Sequence, residues 1–136
     1  MGARRKAREL ALKALFEHEF NEQPIGMVVD RMVTEAQIDP DMSQFLLHLI
    51  DQFTNNRDQV DNEINEHSSH WKLGRMASVD RNVLRLGICE ILFFDDVPKS
   101  VTINEYLEIA KKYGNEESSS FILSLIHISE PTRQDR

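Results

Sequence analysis

The sequence predicts an all-α fold, a compact bundle of about six or seven helices. Three observations predict it. Apolar residues recur at helical spacing almost throughout, and β-branched residues do not alternate with polar ones over any long stretch. Glycine (5) and proline (4) are scarce. A chain of 136 residues with 40% hydrophobic and 29% charged residues is globular in composition and long enough for one domain with its own core.

The first helix is expected over Arg4 to Phe20. Ala7, Leu10, Ala11, Ala14 and Leu15 fall on one face. That face is mostly alanine, so another helix can approach closely. Leu12, Phe16 and Phe20 form a second apolar stripe on about the opposite side. A helix apolar on two sides is either central in the core or carries a partner site.

Pro24 suits the first turn of a second helix, lined by Ile25, Val28, Val29, Met32 and Ala36. Asp39-Pro40 stops it and starts a third, with Asp39 as N-cap and Pro40 at the first helical position. Met42, Phe45, Leu46, Leu49, Ile50 and Phe53 make the cleanest amphipathic stripe. A break is expected at Thr54 to Asp58. Val60, Ile64 and Trp71 then suggest a more polar helix around residues 57–70.

Ser78 is a candidate cap for the next helix, which runs to about Phe94. Val79, Val83, Leu84, Leu86, Ile88, Ile91, Leu92 and Phe93 leave it apolar on most sides, the pattern of a central buried helix. After the loop Asp95-Asp96-Val97-Pro98, Thr102 and Glu105 have capping-box spacing and predict a helix start. Lys111 and Lys112 fall in its last turn, and Gly114 suits the position just past it. The charges of Glu116-Glu117 favour the start of a final helix.

Net charge is −7, which taken alone argues against a nucleic-acid binder. Its distribution argues otherwise. Residues 1–16 hold five basic groups and one acid, residues 17–66 two basic groups and twelve acids, and residues 67–94 four basic groups and two acids. The basic N-terminal end points to a nucleic-acid contact at that end only. Arg4, Arg5, Lys6 and Arg8 put four cations in five residues. The helix dipole disfavours cations there, so phosphate contact explains them better than a solvated terminus does. Arg81 and Arg85 share a helix face and repel, so something neutralises them. An internal carboxylate is the simpler candidate, a phosphate or an acidic partner the alternatives.

Little else offers chemistry. Glu63, His67 and His70 lie on one helical face, but two His and one Glu on a single helix are a weak metal signal, and the HExxH order is absent. There is no nucleophile elbow and no phosphate-cradling glycine loop. The lone Cys89 excludes a disulfide framework and reads as inert core. No catalysis, no metal and no cofactor are expected. No apolar run approaches the roughly 20 residues of a membrane span, and the basic start lacks the apolar stretch of a signal peptide. A cytoplasmic protein without membrane contact is the default.

Three ordered blocks carry a family resemblance. The first is Arg4-Arg5-Lys6-Ala7-Arg8-Glu9-Leu10-Ala11 with Ala14-Leu15-Phe16. The second runs from Val79-Asp80-Arg81-Asn82-Val83-Leu84-Arg85 to Leu86-Gly87-Ile88-Cys89-Glu90. The third is Val97-Pro98, Ile103-Asn104-Glu105, Ile109-Ala110-Lys111-Lys112-Tyr113-Gly114 and Glu116-Glu117-Ser118. Together they resemble the NusB family of transcription antitermination factors over residues 4–122. The resemblance implies two small helical subdomains and no enzymatic activity. It implies binding of single-stranded boxA RNA from ribosomal RNA leaders, together with the small-subunit ribosomal protein that acts as NusE, in a complex that joins RNA polymerase. By motif match, Arg4, Arg5, Lys6, Arg8 and Glu117 carry over toward RNA. Phe16, which stands where the family usually has Tyr, carries over toward the ribosomal partner with Asp80 and Arg85. Some members self-associate, which makes a homodimer across the Phe16 face a further expectation.

After Ile122 the chain departs from the family, whose members continue with an Asn-Gly pair. Residues 123–136 form an atypical tail. Ser124 to Arg133 looks like translated sequencing-adaptor read-through, which makes the tail non-native and gives His127 and Arg133 no role. Two rivals stand beside the antitermination reading. One is the rRNA-binding helical domain of an RNA cytosine methyltransferase, which needs a downstream cofactor domain with a Gly-rich loop. The other is a helical scaffold without an RNA role, which leaves the basic start unexplained.

Overall fold

The computed structural model describes residues 2–67, 73–114, 119–120 and 122–123. Among them are six α-helices, one 3-10 turn and no strand: α1 (Gly2–Glu19), α2 (Ile25–Ala36), α3 (Pro40–Asn55), α4 (Arg57–His67), the turn Leu73–Arg75, α5 (Ser78–Phe93) and α6 (Lys99–Tyr113). Residues 119–120 and 122–123 are helical as well. No helix among the described residues is long and apolar enough to cross a membrane. The chain divides into two compact units, Met1–Asn55 and Asn56–Arg136.

In the first unit α1 packs against both α2 and α3. Ala7, Ala11 and Ala14 are buried, and their short side chains permit that double approach. Val28 and Val29 of α2 and Phe45, Leu46, Leu49, Ile50 and Phe53 of α3 complete the core. Each large side chain so buried contributes roughly 1.5–3 kcal/mol. The chain enters α2 through Pro24, whose carbonyl accepts from the amides of Met27 and Val28. It leaves through Gln37, a left-handed residue (φ 54°) whose N–H bonds the Val33 carbonyl at 3.1 Å. Asp39 then caps α3: its Oδ1 accepts from the Met42 amide at 2.8 Å, with Pro40 as the first helical residue.

In the second unit α5 packs against α4 and α6. Eleven of its sixteen residues, from Asp80 to Ile91, are buried, as its apolar character on most sides predicts. Only Asn56 separates α4 from α3, where a break is expected. Val60 and Ile64 carry the buried face of α4. The expected contribution of Trp71, and the helix start at Glu116-Glu117, lie outside the described residues.

Two expected caps are corrected. Ser78 is the first residue of α5 and not its cap; Ala77 holds the N-cap position without a side-chain bond. The Ser78 carbonyl and hydroxyl accept from Asn82 Nδ2 at 3.0 and 3.3 Å instead. Thr102 and Glu105 are not a capping box either. α6 begins at Lys99, with Pro98 as N-cap and its carbonyl accepting from the amides of Val101 and Thr102. Proline's fixed φ suits a helix start, so the helix forms at once after the loop. Thr102 and Glu105 become buried residues of its second turn. Gly114 is the C-cap at φ −101°, so glycine's left-handed freedom is not used there.

Candidate nucleic-acid interface

The basic cluster occupies the first two turns of α1, which hold no acid in the first turn. Arg4 and Lys6 are exposed and Arg5 is half-buried. Arg8 is only 2% exposed. The difference follows from helical spacing, because Arg8 lies beside Ala7 and Ala11 on the face that α2 and α3 cover. Phe45 of α3 receives both arginines of that side. The Arg4 Cζ lies 4.5 Å from the Phe45 ring centroid, and the Arg8 Cζ lies 5.1 Å from it. Spacing groups the four cations but gives no hint of Phe45, whose only sequence signal is its place in the core stripe of the third helix.

At the other end of α1 the second apolar stripe splits. Leu12 is buried, whereas Phe16 is 41% and Phe20 70% exposed. The two rings form a tilted pair, 5.1 Å between centroids and 59° between planes. Glu17 binds Arg31 of α2, which also lies 3.6 Å from Glu35. The hydrogen bond that Arg31 donates to Glu17, then the charge of Glu17, raise the Arg31 pKa above the ordinary value. Asn21 and Gln23 close the turn that follows, with the Gln23 amide on Asn21 Oδ1 at 2.7 Å.

The second unit holds the polar residues of α5. Arg85 makes a bidentate pair with Asp61 of α4, Nε to Oδ1 at 2.9 Å and Nη2 to Oδ2 at 3.1 Å, and also donates to Asn82 Oδ1 at 3.3 Å. Arg57 approaches the same carboxylate at 3.8 Å. Arg81 instead donates to the carbonyls of Met76 and Leu73, at 3.0 and 3.4 Å. Arg85 thus meets an internal carboxylate, and Arg81 bonds backbone carbonyls. Asp80 is buried at the start of α5. Of the expected partner contacts, Asp80 and Arg85 thus belong to one unit and Phe16 to the other. Glu117 lies outside the described residues.

A second polar cluster joins α5 to α6. The Tyr106 hydroxyl donates to Glu90 Oε2 at 2.6 Å, and Thr102 Oγ1 lies 3.5 Å from Oε1, all fully buried. Burial, then the charge of Glu90, push the neighbouring Cys89 thiol up to about 12. Sequence reasoning missed this cluster because Glu90 stands 12 residues before Thr102 and 16 before Tyr106. Among the described residues, no three His, Cys, Asp or Glu side chains are grouped to hold a metal. The His67 side chain and His70 lie outside that description.

Residues 5–122 match the model of the NusB family. The transcription antitermination protein NusB of Myxococcus xanthus (strain DK1622) is 42% identical over 130 residues, covering 93% of each chain. Among solved structures, T. maritima NusB superposes with a TM-score of 0.87 at 36% identity, covering 93% of this chain and 90% of that one. A chain in a crystal structure of the antitermination factors NusB and NusE in complex with dsRNA gives 0.86 at 25% identity, covering 96% and 98%.

Proposed function

The chain belongs to the NusB family, and from that premise we propose that it is a transcription antitermination factor. On this reading it binds boxA RNA of ribosomal RNA leaders together with the ribosomal protein NusE, acts in the cytoplasm on the RNA polymerase complex, and catalyses nothing. Its relatives are named as antitermination factors and not as enzymes. The observation that carries the reading is the cationic start of α1, with Arg4 and Lys6 exposed, on a chain of net charge −7. Arg4, Arg5 and Lys6 supply phosphate contacts, and Arg8 supports them from below. Phe16 is the anchor for the protein partner, or for a second copy of the chain. Arg85 acts chiefly by holding α4 on α5, with Asp80 beside it in sequence terms at the start of that helix. Glu117 is assigned to the RNA side by family resemblance alone.

Fluorescence anisotropy with single-stranded boxA RNA over a range of salt tests this. Changing Arg4, Arg5, Lys6 and Arg8 together to Ala is expected to weaken binding and to flatten the salt dependence by about 0.7 to 1 slope unit per lost contact. Unchanged affinity and slope in a folded variant overturn the assignment. The related complex named for dsRNA supports a second reading, in which the partner is a duplex. A double-stranded competitor in the same titration separates the two.

A further inference from the structure

We propose that Phe45 is a positioning residue of the RNA site, holding Arg4 and Arg8 so that the cationic end of α1 meets RNA already ordered. The proposal rests on the RNA reading above. Arg4 and Arg8 are four residues apart on one helix face, at an end where both mutual repulsion and the helix dipole oppose them. Both guanidinium groups converge on one ring, within 4.5 and 5.1 Å of its centroid. That ring is itself fixed, because Phe45 is buried in the apolar face of α3 that packs on α1.

The chemistry of the holder matters. The negative face of an aromatic ring attracts a guanidinium, and the Phe45 ring lies against those of both Arg4 and Arg8. Arg8, at 2% exposure, is too enclosed to meet a phosphate in this conformation; on the ring it shares with Arg4 it serves as a support. Arginine side chains lose much rotamer freedom when they bind, so ordering them beforehand raises affinity without adding a charge.

That distinction gives the proposal its own signature. Removing a phosphate contact changes both affinity and salt slope. Removing the ring changes affinity alone. The experiment titrates fluorescein-labelled single-stranded boxA RNA with the wild-type chain, Phe45→Leu, Phe45→Trp and Arg4→Ala at several salt concentrations. Thermal melts confirm that each is folded. Phe45→Leu is expected to bind roughly fivefold more weakly at every salt, on a line parallel to the wild type. Phe45→Trp, which keeps an aromatic face, is expected within about twofold of wild type. Arg4→Ala is expected to lose slope as well. A second measurement needs no RNA: the Nε–Hε resonances of Arg4 and Arg8 are expected to show ring-current shifts that Phe45→Leu abolishes. Wild-type affinity in Phe45→Leu, or equal weakness in the Leu and Trp variants, overturns the role of Phe45 alone. A wild type that binds no RNA overturns the RNA reading and this proposal with it.

Discussion

The two units handle polar groups in opposite ways. Among the described residues, the second unit buries Asp80, Asn82, Arg85, Glu90, Thr102 and Glu105, whereas the first buries only Arg8. The first unit exposes Phe16, Phe20, Met27 and Leu47, and the second Val101 and Leu123. Buried hydrogen-bonded groups specify how helices sit against each other, since a misplaced partner leaves a costly unsatisfied atom. Exposed apolar side chains contribute less to that definition and are surface that other molecules can cover. The second unit is thus richer in buried polar groups, and the first carries the exposed aromatic pair.

The largest expected effect lies in the second unit. Asp61→Ala leaves the nearly buried Arg85 guanidinium without its bidentate partner and is expected to lower stability by about 3 kcal/mol. Combining it with Arg85→Met removes the stranded charge and is expected to restore most of that loss. Chemical denaturation of the two single variants and the double variant measures the coupling. A double variant as unstable as the sum of the singles would remove the ion pair from the account of this unit.

Phe16→Ala sharpens the other side of the contrast. A buried Phe truncated to Ala costs roughly 3–5 kcal/mol of stability. Phe16 is 41% exposed, so its truncation is expected to cost about 1 kcal/mol or less in folding. Partner binding is expected to lose about 2 kcal/mol. Calorimetric titration with the NusE-type ribosomal protein, beside thermal melts of the same variant, reads both. Sedimentation of the variant tells whether a second copy of the chain is the occupant. A large drop in melting temperature with partner affinity intact places Phe16 with the core.

A further effect appears only at alkaline pH, beyond the range in which the other two are read. The Cys89 thiol stays protonated in the folded chain up to about pH 12, whereas in the unfolded chain it ionises near 9. The folded state then holds a proton that the unfolded state has lost, so this contribution is complete below pH 9 and is lost as pH rises toward 12. Stability of the wild type relative to Cys89→Ala is expected to fall by up to about 1.4 kcal/mol per pH unit in that window. Parallel curves for the two proteins would show that the site is open to water.

The sequence was most legible where a single element decides the outcome. The alanine face of α1, the Asp39-Pro40 start of α3 and the apolar circumference of α5 each follow from local spacing or capping chemistry. The start of α6 was misread because two signals competed. Thr102 and Glu105 have the spacing of a capping box, but Pro98 starts the helix one turn earlier, and Thr102 lies beside Glu90 instead. Pairings across elements were not legible at all. Asp61 stands 24 residues before Arg85. It is one of twelve acids in its segment, with nothing local to single it out. Phe45 likewise looks like any other core residue until α3 is laid against α1.

The arrangement of helix pairs bears on how the chain folds. α1 finds both of its partners within Met1–Asn55, and α5 finds α4 before it and α6 after it. The loops to be closed are short, so the entropy lost in closing them is small. Each core is gathered from segments near one another along the chain, the low contact order that accompanies rapid folding in helical domains. The first unit, with the cationic end and the exposed aromatic pair, is complete in sequence by Asn55, so all three of its helices are synthesised before those of the second.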